Sequence, residues 1–215
     1  MVSAGLEIMG LSLCLIGSLL VMVACGLPMW KVTAFIEANI VVAQTIWDGL
    51  WMSCVVQSTG QMQCKVHDSV LALSHDLQAA RALTIISSVV GVLGLMVVIA
   101  GAQCTNCIRT EQIKARVVNA GGVMFIISGL IVLVPLCWMA HNIISDFYNP
   151  QVPPSQKREI GAALYIGWAA TALLLIGGAL LCCSCPSSGN TGYSVQYAPT
   201  KRATQNGDYD KRNYV

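Results

Sequence analysis

Charged residues are scarce in this sequence, and their absence is concentrated in four places. Of the 215 residues, 12 are Lys or Arg and 10 are Asp or Glu, so 10% are charged, where a soluble globular domain carries about 25%. No charged residue occurs in the stretches 8–30, 82–108, 117–145 and 160–200. This pattern argues against a soluble domain and against a disordered chain. The formal net charge of +2 is too small to indicate a nucleic acid as partner.

Motifs for catalysis and for metal binding are also missing. The chain has no nucleophile–base pattern and no phosphate-binding glycine loop. Its one C-x-x-C pair, Cys104 and Cys107, has no histidine near it, and a single pair of this kind is a weak signal for zinc or for redox chemistry. The sequence therefore predicts a protein that is not an enzyme and that has no metal and no cofactor.

Long apolar runs fill most of the uncharged stretches. A helix needs about 20 apolar residues to cross a bilayer, and we predict four such spans, at residues 8–27, 82–101, 117–139 and 160–181. Ten glycines of the last three spans allow the helices to approach closely within a four-helix bundle. They are Gly91, Gly94, Gly101, Gly121, Gly122, Gly129, Gly161, Gly167, Gly177 and Gly178. The predicted fold class is a membrane α+β fold, in which a left-handed four-helix transmembrane bundle carries a small antiparallel extracellular β-sheet. The predicted four-span domain covers residues 1–183.

The distribution of basic residues predicts the orientation. Residues 102–116 hold three basic residues against one acidic residue, and the tail 184–215 holds four against two. Residues 31–81 hold three basic residues against four acidic ones. Because basic residues mark the cytoplasmic side, we expect both termini in the cytoplasm of a multi-pass plasma-membrane protein. The extracellular loops are then residues 28–81 and 140–159.

The first extracellular loop contains a hairpin signal between two cysteines. Cys54 and Cys64 flank the turn sequence Ser58-Thr59-Gly60 symmetrically, which places them opposite each other on two hairpin arms, 52–57 and 61–66. The oxidising exterior favours a disulfide between them, with two free thiols as the alternative. The runs 29–36 and 40–46 predict further strands, separated by polar breaks at 37–39 and 48–49, and residues 69–81 predict a helical approach to the second span.

The other cysteines lie in the spans or at their cytoplasmic ends. Cys14, Cys25 and Cys137 are interpreted as packing residues. Juxtamembrane cysteines on the cytoplasmic side are typical palmitoylation sites, which makes membrane lipid a partner, and the alternative is a set of inert thiols. The candidates are Cys104, Cys107, Cys182, Cys183 and Cys185.

A constellation in the first loop resembles a known family. Trp30, the triplet Gly49-Leu50-Trp51, and the pair Cys54 and Cys64 together resemble the claudin signature W…GLW…C…C, and Arg81 stands where claudins have an arginine at the mouth of the second span. Taken alone, the tryptophans would be read as interfacial anchors. The resemblance covers nearly the whole chain and is greatest for the epithelial, barrier-leaning members. It implies a tight-junction protein that polymerises in cis and pairs in trans, with itself and with other claudins.

The resemblance also implies a lateral contact of the knob-and-pocket kind. Val70 matches the apolar knob of the family, and the pocket of the neighbouring subunit matches Phe147, Tyr148 and Ile160. Exposed apolar residues on short outside loops are candidates for such contacts. The alternative is that Val70 and Phe147 pack within their own subunit.

The second extracellular loop carries two further implications. Asn149, Pro150, Gln151 and Val152 match the segment that contributes to trans contacts in claudins and that a clostridial enterotoxin grips in some members. Gln151 replaces an apolar leucine of that motif, which weakens the expected toxin contact. Pro135, inside the third span, predicts a bent helix, and the resemblance implies that this helix extends outside the membrane through Ile143–Ser145.

Ion selectivity is implied at the position after the second cysteine, which is Lys65. A cation there repels Na⁺ near a narrow path, so the sequence predicts a cation barrier that is at most weakly permeable to anions. The alternative for Lys65 is a solvated lysine on a hairpin edge. Glu37, Asp48 and Asp68 are secondary candidates. The rival functions are a four-span adhesion or regulatory membrane protein that forms no strands, and a dedicated paracellular anion channel.

The C-terminal tail, residues 184–215, is polar and rich in Ser, Thr, Gly, Asn and Tyr, and we predict that it is disordered. It ends in Tyr214-Val215. An apolar last residue with its carboxylate is what a PDZ groove captures by strand addition. In the claudin context this ending predicts PDZ-domain scaffold proteins of the junction as partners, and an ordinary terminus is the alternative.

Overall fold

The computed structural model describes residues 4–33, 45–57, 60–67, 74–101, 111–153 and 156–184. In chain order the elements are α1 (Ala4–Gly26), β1 (Lys31–Thr33), β2 (Thr45–Asp48), β3 (Met52–Val56), β4 (Met62–Val66), α2 (His75–Gly101), α3 (Glu111–Tyr148), β5 (Arg158–Ile160) and α4 (Ala162–Ser184).

Four helices of the described chain are long and apolar enough to cross a membrane, as the sequence predicted. Helix α2 packs along α3, α3 along α4, and α4 along α1, whereas α1 and α2 meet over a smaller surface. The buried core runs through all four helices and includes Phe125, Leu136, Leu174 and Leu181. The outward sides of the helices are also apolar, with side chains such as Met96 and Ile8 more than half exposed, because a bilayer removes the requirement for a polar surface.

The helices extend beyond the predicted spans. Helix α2 begins at His75, inside the predicted helical approach, and α3 continues to Tyr148, past the predicted end at 139. A helix does not stop where the bilayer ends, because each backbone hydrogen bond continues the previous turn. Outside the bundle, the Asn142 amide donates to the Asp76 carboxylate at 3.0 Å, which ties the outer part of α3 to the first turn of α2.

Helix α3 is unbroken through Pro135. The predicted bend at this residue stays a prediction. Helix α4 begins at Ala162, later than the predicted start at 160, because Ile160 belongs to a strand.

Two buried serines join α2 to α3 in the middle of the bundle. The Ser87 hydroxyl donates to the Ser128 carbonyl oxygen at 2.8 Å, and the Ser128 hydroxyl donates to the Ser87 carbonyl oxygen at 2.8 Å. Both side chains are almost fully buried. The adjacent Gly91 leaves room for this approach, since a Cβ atom there would lie 3.3 Å from the Ser128 Oγ.

Replacing Ser87 with Ala should lower the free energy of unfolding by about 1 kcal/mol, because one interhelical hydrogen bond in an apolar environment is lost. Ser88→Ala is the matched control, since the Ser88 hydroxyl donates to the Thr84 carbonyl of its own helix. Thermal melting of the purified protein in detergent measures the difference. Equal melting temperatures for the two variants would contradict the interhelical role.

The five strands form one antiparallel sheet in the order β4-β3-β2-β1-β5. The predicted hairpin is confirmed as β3 and β4, with Cys54 directly opposite Cys64. Strand β2 runs through Asp48, where a break was predicted, because the Asp48 carbonyl accepts from the Trp30 amide at 3.0 Å. Strand β5 was not predicted at all; it comes from the second loop and pairs with β1.

Candidate functional site

The sheet is fixed to the bundle through the two signature tryptophans. Trp30 is 1% exposed, and its indole N–H donates to the Ala24 carbonyl oxygen at the end of α1 at 2.7 Å. Trp30 is therefore a core residue and not an interfacial anchor. Trp51 is 37% exposed, and its indole N–H lies 3.4 Å from the Cys25 sulfur.

Arg81 connects the same junction to helix α2. Its side chain is buried, its Nε donates to the Leu50 carbonyl oxygen, and its guanidinium lies 4.9 Å from the centre of the Trp51 ring. A cation over an indole face is attracted by the ring quadrupole. Arg81 therefore holds the Gly49-Leu50-Trp51 turn against the outer end of α2.

Two glycines allow backbone segments to approach within this junction. A Cβ atom on Gly49 would lie 2.4 Å from the Pro28 Cα, and one on Gly161 would lie 1.9 Å from the Met29 carbonyl oxygen. From the sequence alone Gly161 is interpreted as a helix-packing glycine, because a glycine before an apolar run looks like any other glycine of that kind. Here it brings the start of α4 against the chain that follows α1.

The disulfide is formed between Cys54 and Cys64, as predicted. Cys54 is fully buried, while Cys64 lies on the exposed strand β4. The bond joins the edge strand β4 to its neighbour β3 inside the sheet.

One face of the sheet carries polar side chains, and we call it the polar sheet face. Its polar residues are Lys31, Thr33, Asp48, Ser53, Gln63, Lys65 and Arg158, and the register places Ile46, Val55 and Ile160 on the same face. Lys31 lies opposite Asp48, Asp48 opposite Ser53, and Ser53 opposite Lys65, so these four form one row across four strands. Because side chains alternate along a strand, the disulfide lies on the other face. Among the described residues of the strands, the polar sheet face has three basic side chains and one acidic one.

Arg158 is the residue of this face whose contacts could not be predicted from the sequence. Its Nη2 lies 3.3 Å from the Asp48 Oδ2, and its Nη1 donates to the Thr33 hydroxyl at 2.9 Å. The side chain reaches from β5 across β1 to β2. The sequence held only the weak signal of a basic residue before an apolar run.

A groove of about 280 Å³ lies between the outer end of α3, strand β5 and the start of α4. Phe147, Tyr148 and Ile160 all line it, and the other lining residues are Ile143, Ile144, Arg158, Glu159 and Tyr165. The structure thus brings the three predicted pocket residues together. Phe147 and Tyr148 belong to the last turn of α3, within the segment 140–159 that was predicted as the second extracellular loop. The predicted knob, Val70, lies outside the described residues.

Aromatic and basic side chains form the rim of this groove. The Phe147 and Tyr148 rings meet edge to face with centres 5.6 Å apart. The Lys157 ammonium lies 5.5 Å from the centre of the Phe147 ring. Tyr148 is 78% exposed, so the rim presents a large aromatic side chain to the outside.

The turn after α3 is organised by its first residue. The Asn149 side-chain oxygen accepts from the Gln151 amide at 3.0 Å, and the Asn149 carbonyl accepts from the Val152 amide at 3.3 Å. Asn149, Pro150 and Gln151 are exposed and Val152 is half-buried. This local bonding fixes the segment that was predicted to make trans contacts.

At the opposite end of the bundle, Cys182 is half-buried and Cys183 exposed on the last turn of α4. The other palmitoylation candidates, Cys104, Cys107 and Cys185, lie outside the described residues, as do Tyr214-Val215, Glu37 and Asp68. In the part of the chain that the structure describes, no group of three His, Cys, Asp or Glu residues has the arrangement of a metal site.

Comparisons with known proteins agree with this geometry. The sequence model of the PMP-22/EMP/MP20/Claudin family matches residues 4–181. The chain is 59% identical to Claudin-5 of Homo sapiens over 216 residues, covering 99% of both chains. It is 57% identical to Claudin-6 of Homo sapiens over 220 residues, covering all of both chains. It is 59% identical to Claudin-4 of Homo sapiens over 203 residues, covering 94% of this chain and 97% of that protein. The chain therefore belongs to the PMP-22/EMP/MP20/Claudin family, as a claudin, which is a structural multi-pass membrane protein of tight junctions and not an enzyme.

Proposed function

We propose that this claudin polymerises within one membrane, pairs with claudins of the adjacent cell, and seals the paracellular space against cations, with at most weak permeability to anions. The observation that carries the proposal is the row Lys31-Asp48-Ser53-Lys65 on the polar sheet face. Lys65 stands at the family's selectivity position, on an exposed strand at the edge of the sheet.

The charge balance of the polar sheet face supports the sign of this selectivity. Among the described strand residues, this face carries the basic side chains of Lys31, Lys65 and Arg158 and one carboxylate, that of Asp48. At physiological ionic strength a charge acts over about 8 Å, so a path along this face repels Na⁺ more than Cl⁻. The same charge balance supports the second candidate function, a dedicated paracellular anion channel. A cation barrier should raise the transepithelial resistance, whereas an anion channel should lower it.

The groove supports lateral assembly. Apolar and aromatic side chains, including Phe147, Tyr148 and Ile160, line most of it beside the charged pair Arg158 and Glu159. Such an apolar surface can bury an apolar knob of a neighbour. Val70 is the knob that the family pattern implies. We infer that the exposed turn Asn149–Val152 contributes to pairing between cells and offers a weakened contact to clostridial enterotoxin because of Gln151.

The cytoplasmic partners follow from the proposed orientation with both termini inside. Cys182 and Cys183, with Cys104, Cys107 and Cys185 on the same side, are proposed acylation sites, and acyl chains on Cys182 and Cys183 would hold the end of α4 at the lipid surface. The final residues Tyr214-Val215 are proposed to bind PDZ-domain scaffold proteins through the terminal carboxylate.

Expression in junction-free fibroblasts, followed by freeze-fracture, tests strand formation. The wild-type chain should form continuous strands at cell contacts, and Phe147→Ala should weaken lateral association by about tenfold, giving short or sparse strands. Trp138→Ala is a control, because Trp138 is 53% exposed on the same helix and does not line the groove. Isolated particles from the wild-type chain would instead support a four-span adhesion or regulatory protein.

A further inference from the structure

The carboxylate of Asp48 occupies a sensitive position on the polar sheet face. It lies in the same row as Lys65, separated by Ser53 on the intervening strand. Neighbouring strands are about 4.8 Å apart, so the two backbones lie about 10 Å from each other. An unpaired carboxylate at this distance offsets much of the field of one ammonium group.

The Asp48 carboxylate is paired with Arg158, a residue of the second extracellular segment. The Nη2–Oδ2 distance is 3.3 Å, and the two side chains are 26% and 28% exposed. Partial burial reduces the screening of this pair by salt.

The guanidinium of Arg158 is held in this place by a second set of bonds. The Thr33 hydroxyl accepts from Nη1 at 2.9 Å. The same hydroxyl accepts from the Ile46 amide at 2.9 Å and donates to the Ile46 carbonyl at 3.0 Å. Thr33 is thus fixed by β2, and it fixes the arginine over the carboxylate of that same strand.

We propose that Arg158 is a specificity-determining residue, because its contact with the Asp48 carboxylate sets the net charge that this part of the polar sheet face presents to the ion path. The proposal rests on the ion-selective function proposed above and extends it to a residue of the second loop. Removing Arg158 lowers the net charge of the face by one unit and leaves the Asp48 carboxylate without this partner in the row of Lys65. Strand β5 therefore contributes to selectivity through a side chain whose partner is on β2.

Dilution potentials across an epithelial monolayer test this inference with single and double variants. Arg158→Gln should raise the ratio of Na⁺ to Cl⁻ permeability by about twofold, and Asp48→Asn should lower it by about twofold, because each changes the face by one unit charge that salt screens over about 8 Å. The double variant Asp48→Asn with Arg158→Gln should return close to wild type, because it restores the net charge of the face. Arg158→Lys keeps the charge and should also remain close to wild type.

Asp146→Asn is the matched control for Asp48→Asn. It removes the same charge from an exposed carboxylate on α3, away from the sheet, and should leave the ratio unchanged. A control shift as large as that of Asp48→Asn would overturn the local role of the pair.

Structural damage and a loss of charge give different results. If the double variant behaves like Arg158→Gln, the loss of the arginine acts through the fold and the proposal is wrong. If Arg158→Gln does not reach the cell surface, Asp48→Asn decides, since it keeps the bond between Arg158 and Thr33; an unchanged ratio would then overturn the proposal. If Lys65→Asp leaves the permeability ratio unchanged while Arg158→Gln raises it, the role proposed for Lys65 is wrong and the role proposed for Arg158 is supported.

Discussion

Replacing Lys65 with Asp should reverse the Na⁺/Cl⁻ preference of an epithelial monolayer that expresses this claudin. The substitution changes the charge of the row Lys31-Asp48-Ser53-Lys65 by two units at an exposed position. With screening, a change of this size corresponds to about a fivefold rise in the ratio of Na⁺ to Cl⁻ permeability. The measurement is the dilution potential under an apical-to-basal NaCl gradient.

Lys65→Arg is the control for this result, because it keeps the charge on the same strand. Surface abundance must be equal for all variants, so that selectivity is compared at the same strand density. An unchanged dilution potential for Lys65→Asp would assign the lysine to the solvated hairpin edge.

A second large effect is expected at the junction between sheet and bundle. Gly161→Ala should prevent correct folding, since the new Cβ would lie 1.9 Å from the Met29 carbonyl oxygen and 2.6 Å from its carbonyl carbon. Both are backbone atoms that cannot rotate away. The surrounding backbone is also fixed. The Gly161 amide donates to the Trp30 carbonyl oxygen at 3.1 Å, and the Ala163 amide donates to the Met29 carbonyl oxygen at 3.0 Å. We expect a loss of about 3 kcal/mol or more.

Gly26→Ala is the matched control, because nothing lies within 4 Å of a Cβ atom there. Surface biotinylation should show little Gly161→Ala protein at the cell surface, and its melting temperature in detergent should be lowered. Gly26→Ala should match the wild type in both measurements. Equal melting of both variants would show that the close approach at Gly161 is not required.

Local sequence signals were sufficient for the helices and the hairpin. The four uncharged stretches located the spans, and the turn between Cys54 and Cys64 gave the strand register correctly. The helix ends were predicted less accurately, because an apolar run marks only the part of a helix that crosses the membrane. Helix α3 instead continues to Tyr148 for as long as its backbone hydrogen bonds continue, which moved two predicted loop residues onto a helix.

Contacts between distant segments were not predictable in the same way. Strand β5 has only three residues, Arg158–Ile160, too few to show alternation. Its pairing with β1 depends on the position of α4 relative to α1. For the same reason the direction of the effect of Asp48 on selectivity could not be predicted, since its partner Arg158 lies on the other extracellular loop.

The central claim is that this claudin seals the paracellular space and excludes cations there. The most direct test expresses the wild-type chain in a leaky epithelial monolayer and records transepithelial resistance and the NaCl dilution potential on the same filters. We predict that resistance rises and that the ratio of Na⁺ to Cl⁻ permeability falls. A lower resistance, or a ratio that rises in favour of Na⁺, would contradict the account.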